Sequence, residues 1–144
     1  MYRINVRTVA AMGRAALPGM LARGSGHIAI MASVAGYRGL PNGGSYGPTK
    51  AALINLAETL RLELAPAGIT VSVVNPGFVD TPATQKNDFD MPDLMPVEDA
   101  AAALEAGLVA GRFEISFPWR FTRLMKLIRL LPNWLYLRLA KRLV

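Results

Sequence analysis

Cysteine is absent from this 144-residue chain, and histidine occurs once, at His27. Without cysteine there is no disulfide framework and no thiol nucleophile. A metal site would also lack its usual sulfur and imidazole ligands, and Asp88, Asp90 and Asp93 lie in a proline-broken segment, so no metal is expected. A lone histidine entering an apolar run is read as structural and is given no role. No uninterrupted apolar run reaches the roughly 18 residues of a membrane-spanning helix. Residues 1–20 do not pair a basic segment with an apolar core, so no secretory leader is read and a cytoplasmic location is the default expectation. Acidic residues are missing altogether after Glu114.

Apolar residues, by contrast, are abundant at 52%, more than an ordinary soluble domain carries. Parallel strands buried on both faces account for such an excess. The pattern predicts a helix over 2–22, disturbed late by Pro18, and a strand over 27–32. Gly36, Gly39, Pro41, Asn42, Gly43 and Gly44 mark a long loop. A helix over 45–66 follows, with Ser45 as its N-cap, and stops near Pro66 and Gly68. Residues 69–74 alternate and are β-branched, as a strand requires. Residues 78–96 read as irregular, 97–109 as a helix with Glu98 and Asp99 in its first turn, and 113–117 as a last strand.

The most informative constellation is Tyr46-Gly47-Pro48-Thr49-Lys50 with Ser33 upstream. A spacing of four puts Tyr46 and Lys50 on one helix face. An ammonium beside a phenol favours the phenolate, and a phenol so tuned can pass a proton to or from a substrate oxygen. A serine hydroxyl can hold that oxygen by a hydrogen bond. The apolar run His27–Ala32 ends at Ser33, which places the serine just past a strand end and facing a helix start. That is where ligands bind in an open parallel α/β sheet.

Four segments in order carry a family resemblance: Asn5; Gly24-Ser25-Gly26-His27-Ile28 leading to Ser33-Val34-Ala35-Gly36; Tyr46-Gly47-Pro48-Thr49-Lys50-Ala51-Ala52; and Asn75-Pro76-Gly77-Phe78-Val79-Asp80-Thr81. Through them residues 1–118 resemble the C-terminal part of a short-chain dehydrogenase/reductase. The resemblance implies the C-terminal portion of a Rossmann-like, doubly wound parallel sheet. It implies that Tyr46 is the general acid/base, that Lys50 tunes it and binds the nicotinamide ribose, that Ser33 orients the substrate, and that Asn5 organises a relay water. Pro76, Gly77 and Val79 would line the nicotinamide, with Thr81 near its carboxamide. The cofactor would be NADP or NAD, and the substrate a small carbonyl compound or alcohol, apolar or lipid-like. Helices 2–22 and 45–66 would form a homo-oligomer interface. The chain departs from the family in lacking a glycine-rich strand–turn–helix for the pyrophosphate. Gly24-Ser25-Gly26 precedes a strand instead of following one. The expectation is therefore a fragment, inactive by itself.

Residues 119–144 form a second unit in this reading, a basic amphipathic helical tail. Seven of the sixteen basic residues lie there, and the other nine are outnumbered by the ten acidic residues. Arg120, Arg123, Lys126 and Arg129 recur every three positions among Phe121, Leu124, Met125, Leu127, Ile128 and Leu131; Pro132 breaks the helix, and Trp134 to Leu139 continue it. Such a segment reads as an interfacial anchor on an anionic membrane, at the inner face, with packing on the subunit or its partner as the alternatives. Nucleic acid is not expected, because the apolar surface is too large for a phosphate-reading helix. The competing function is a non-enzymatic interaction or membrane-surface module.

Overall fold

A computed structural model describes residues 1–41 and 43–143. Asn42, read as a loop position, and Val144, the end of the tail, lie outside the described residues. The chain opens with a widened π turn over Arg3–Arg7 that runs into α1 (Thr8–Arg23). Then come β1 (Gly26–Met31), α2 (Tyr46–Leu64), β2 (Ile69–Pro76), α3 (Val97–Val109), β3 (Glu114–Phe117), α4 (Trp119–Arg129) and α5 (Asn133–Ala140). The three strands lie in the order β1-β2-β3, all parallel, with Met31 opposite Val74 and Pro76 opposite Phe117.

Alternation along β2 explains the layers. Ile69, Val71 and Val73 point to one face, where they join Ile30 of β1, Leu53, Ile54 and Ala57 of α2, and Met125 of α4. Val74 points to the other face and meets Ala100 of α3 with Ile115 and Phe117 of β3. Val9, Leu17 and Met20 bring α1 against the first of these clusters. Both faces of β2 are thus buried although its sequence alternates, because Ser72 Oγ and Asn75 Nδ2 are buried with hydrogen-bond partners. α2 and α3 cover opposite faces although both crossovers advance the sheet in the same direction. The two crossovers therefore have opposite hands, and one departs from the right-handed rule. Residues 77–96, between β2 and α3, are the long connection that carries the chain across to the second face.

Two local expectations are corrected. α1 runs through Pro18 without a break. Pro18 and Arg14, whose carbonyl loses its partner, are both on an exposed stretch, where water can satisfy that group. Ser45 precedes α2 in helical backbone conformation, and its side chain caps nothing. Gly68, at φ 73°, closes the turn after α2 and redirects the chain into β2. His27 is structural: its Nε2 is 2.7 Å from Ser72 Oγ, which donates to the Arg112 carbonyl at 2.6 Å. These bonds tie β1, β2 and the approach to β3.

The tail is held to the sheet by a polar cluster around Glu114. Its carboxylate accepts hydrogen bonds from Tyr37 Oη, from Asn75 Nδ2 at 3.0 Å and from Lys126 Nζ at 2.7 Å. Burial pushes the Glu114 carboxyl up, but the bonds from Lys126, Tyr37 and Asn75 outweigh it and hold the group below the usual carboxylate range. Burial, with the neighbouring Glu114 charge, pushes the Tyr37 phenol well up. α5 adds a second tie: Tyr136 Oη donates to the Gly39 carbonyl, and Arg38 donates to Leu131 O at 3.0 Å and to Asn133 Oδ1 at 2.9 Å.

A carboxyl depressed on folding binds fewer protons in the native state than in the unfolded one, so stability rises with pH through its titration. Its contribution is present above the unfolded carboxyl range and is lost as pH falls through the lower, native value. Urea unfolding of the full chain between about pH 7 and pH 3 should therefore show an acid loss of stability that is shallower in Glu114→Gln. An identical slope in the two proteins would remove Glu114 from this role.

Candidate active site

The C-terminal ends of β1 and β2 bring the sequence-marked residues together. Past β1, Ser33 adopts extended backbone and opens a short helical turn over Val34–Gly36; its Oγ accepts the Ala35 N–H at 3.2 Å. The same Oγ donates to the Pro76 carbonyl, the last residue of β2, at 3.3 Å. Gly36 lets this turn lie directly on α2. A Cβ there would come within 2.7 Å of the Lys50 carbonyl carbon and 2.8 Å of the Ala51 nitrogen.

α2 then presents its first turn to the strand ends. Lys50 is 9% exposed, and its Nζ donates to the Met31 carbonyl at 2.9 Å. Burial lowers its pKa from the ordinary lysine value. The ammonium lies 5.5 Å from the centroid of the Tyr46 ring. Tyr46 itself is 40% exposed, so the cation sits inside and the phenol reaches out. Asn5, in the π turn ahead of α1, donates from Nδ2 to Thr49 Oγ1 at 2.8 Å, and Thr49 donates on to the Tyr46 carbonyl at 2.8 Å. Wide turns inside helices recur at functional sites, and this one aims Asn5 at the Tyr46–Lys50 turn.

Across the crevice, Gly77 donates its N–H to Phe117 O at 2.7 Å. Val79 pairs with Met95 as an isolated bridge, which closes the 77–96 connection into a loop. Thr81 Oγ1 is 3.0 Å from Thr84 Oγ1, so Thr81 stands in a local turn. Beside these residues Phe78 packs edge-on to Phe89, with centroids 5.9 Å apart, and tilted against Phe121 of α4 at 5.4 Å. Phe121 also occupies the space a Cβ on Gly77 would need. The tail helix therefore forms part of the wall beside Pro76 and Gly77.

The structure thus gathers Asn5, Ser33, Tyr46, Lys50, Pro76 and Gly77 around two strand ends, with Val79 and Thr81 farther along the same loop. Sequence reasoning missed Thr49, Phe121 and the Tyr37–Asn75–Glu114–Lys126 cluster. One signal was available for the cluster. Glu114 is the last acidic residue before an all-basic segment, which makes it the nearest acidic partner in sequence for the tail's cations.

The parallel α/β sheet thus carries a tyrosine, a buried lysine and a serine at its strand ends. Residues 1–91 match the short chain dehydrogenase family, and the chain belongs to that family. An uncharacterized oxidoreductase of Myxococcus xanthus strain DK1622 is 40% identical over 139 residues, which are 96% of this chain and 55% of that protein. A short chain dehydrogenase from Burkholderia cenocepacia J2315, solved in complex with NADP, superposes with a TM-score of 0.81 at 28% identity, over 96% of this chain and 56% of that one. One from Sphingobium yanoikuyae, in complex with NADPH, gives 0.73 at 28% identity over 80% and 46%. The chain spans about half the length of the relatives it matches.

The contact at Gly36 yields a test. Gly36→Ala should destabilise the chain by about 1–3 kcal/mol, the usual cost of overpacking against backbone. Gly39→Ala, which meets nothing within 4 Å, should be close to neutral. Chemical denaturation of both variants checks the contrast, and equal stabilities would show that the Ser33 turn does not rest on α2.

Proposed function

We propose that this chain supplies the proton-transfer and nicotinamide-side machinery of an oxidoreductase acting on a carbonyl compound or secondary alcohol. The observation that carries the reading is the outward phenol of Tyr46 with the buried Lys50 ammonium over its ring, next to Ser33 at the strand ends.

Each residue has a definable task. The Ser33 hydroxyl, whose bond to the Pro76 carbonyl is long at 3.3 Å, would turn to donate to the substrate oxygen. Tyr46 would give its phenolic proton to that oxygen as the carbon is reduced, and recover it in the reverse direction. The Lys50 cation would favour the negative phenolate left behind. Asn5, tethered by Nδ2 to Thr49, would hold a relay water through Oδ1.

The donor set at the strand ends fits the ribose and carboxamide end of a nicotinamide dinucleotide. Tyr46 and Lys50 would meet the ribose, Pro76, Gly77 and Val79 the ring, and Thr81 the carboxamide. Bound there, the nicotinamide would supply or accept the hydride. The NADP and NADPH held by two structural relatives support that choice. The pyrophosphate is a different matter. The connection from β1 into α2 carries Gly36, Gly39, Gly43 and Gly44 but not the Gly-x-x-x-Gly-x-Gly spacing, and Gly24-Ser25-Gly26 leads from α1 into β1.

The aromatic wall of Phe78, Phe89 and Phe121 supports an apolar or lipid-like substrate, and the basic tail a peripheral place at the inner membrane face. Homo-oligomerisation through α1 and α2 is part of the same proposal. No residue of α1 is buried, and Met12, Leu21 and Leu62 are exposed.

Two measurements test the reading. Residues 1–144 titrated calorimetrically with NADPH or NADH should show no saturable site below the millimolar range, about −4 kcal/mol of binding free energy. Micromolar affinity would refute the division of labour proposed above. In a chimera that joins the N-terminal half of the Myxococcus relative to this chain, Tyr46→Phe should cut turnover by at least about 10². Lys50→Met should lower both turnover and cofactor affinity. Near-normal turnover in Tyr46→Phe, on a substrate the parent chimera uses, would remove Tyr46 as the acid/base.

A further inference from the structure

We infer that the outer faces of α4 and α5 form a docking surface for an anionic lipid bilayer. The packed structure separates the tail into two rows of side chains. Phe121, Thr122, Met125, Ile128 and Tyr136 turn inward and are used by the domain. The outer row is left over, and on both helices it mixes basic with apolar residues. In α4, Arg120, Arg123, Leu124 and Leu127 fall at i, i+3, i+4 and i+7 and are all exposed. In α5, Trp134, Leu137 and Arg138 fall at i, i+3 and i+4 and are exposed, and Lys141, in the short turn that follows the helix, is exposed as well. That spacing places each set on one helix face.

The chemistry of these faces selects the occupant. Trp119, Leu127 and Trp134 are 61%, 64% and 68% exposed, more bare apolar surface than scattered single residues explain. Cations interleave with that surface instead of standing opposite to it. Arg120 and Arg123 lie 5.5 Å and 5.3 Å from the Trp119 ring. An open groove beside α4 continues the mixture, lined by Arg123, Lys126, Leu127, Arg129 and Leu130, with Glu114 already paired to Lys126. Leucine and tryptophan enter the acyl boundary of a bilayer while long basic side chains reach up to its phosphates. A second copy docked tail to tail is the wrong partner, since it would set the outer cations against their own kind with no acidic residue from 119 onward. Nucleic acid would leave the leucines and tryptophans in water.

This surface is independent of the hydride chemistry, and its test reads lipid binding alone. The chain's two tryptophans both belong to it, so intrinsic emission reports docking directly. Full-length protein mixed with phosphatidylglycerol/phosphatidylcholine vesicles should show blue-shifted emission and co-sediment. Added salt should weaken binding without abolishing it, because screening acts on the charges and not on apolar burial. Pure phosphatidylcholine vesicles should bind weakly. Leu124→Asp/Leu127→Asp should lose at least about tenfold in partitioning. Arg120→Ser/Arg123→Ser should lose on the order of tenfold, through anionic vesicles only. Because all four positions are exposed, thermal unfolding of both variants should match the parent, and a variant that does not is replaced by the other as the readout. Three results overturn the proposal: no emission shift with anionic vesicles, undiminished sedimentation of both variants, or an equal shift with soluble polyglutamate, which would mark an acidic protein as the partner.

Discussion

A lysine that loses most of its contact with water must be given a reason to stay. Lys50 is held by one hydrogen bond to the Met31 carbonyl at the end of β1, and burial disfavours its charge. That single bond sets much else. It pins the first turn of α2 to the sheet, so Tyr46, one turn earlier on the same face, stands at the strand ends with the ammonium near its ring. It also fixes how near the Ser33 turn can come, because the turn lies on the backbone of Lys50 and Ala51 through Gly36. Ser33 in turn reaches Pro76, which ends β2. Strand, turn, helix and neighbouring strand are therefore joined at one point, and the chemistry-bearing groups are those at the joint.

The sheet behind this joint is covered unevenly. β2 is buried on both faces, whereas β1 exposes His27, Ala29 and Met31 on the side away from α2. Among the described residues no strand pairs with its outer edge. An unpaired edge beside an uncovered apolar face is a surface that folded proteins ordinarily cover. It matters here because the joint at Lys50 uses the Met31 carbonyl, at the end of that edge strand. Whatever steadies β1 also steadies the lysine. Within this chain that work falls to the β1–β2 ladder and to the His27–Ser72–Arg112 bonds.

Much of this was legible in the sequence because it rests on short-range rules. The run from His27 to Ala32 has strand length and ends at a glycine-marked loop, and Tyr46 with Lys50 four residues on shares a helix face. The helix at 97–109 agrees with the structure to the residue, since Pro96 and the acidic first turn mark its start. What could not be read depends on groups distant in the chain. Glu114 meets Tyr37, which lies 77 residues earlier, and Tyr136 meets Gly39, 97 residues away. Pro18 was misjudged for a local reason: on an exposed stretch water can take the freed Arg14 carbonyl, and the helix continues. Ser45 was misjudged because capping needs extended backbone at that residue, and here it is helical.

The tail shows why amphipathicity by itself does not name a partner. Its periodicity fits packing on the domain and docking on a surface equally well, and the folded chain uses it for the first while leaving material for the second. Packing takes the arc of Phe121, Met125 and Ile128, with the Lys126–Glu114 pair at its edge. The clamp has a consequence for the site. Phe121 leaves the same helix to press on Phe78 and Gly77, and α5 holds Gly39 in the loop between Ser33 and Tyr46. Through Phe121 and Tyr136, α4 and α5 thus supply part of the crevice wall and brace the loop beside it. The inner row of the tail is spent on the domain, and its outer row presents charge and apolar surface on the side that the site does not use.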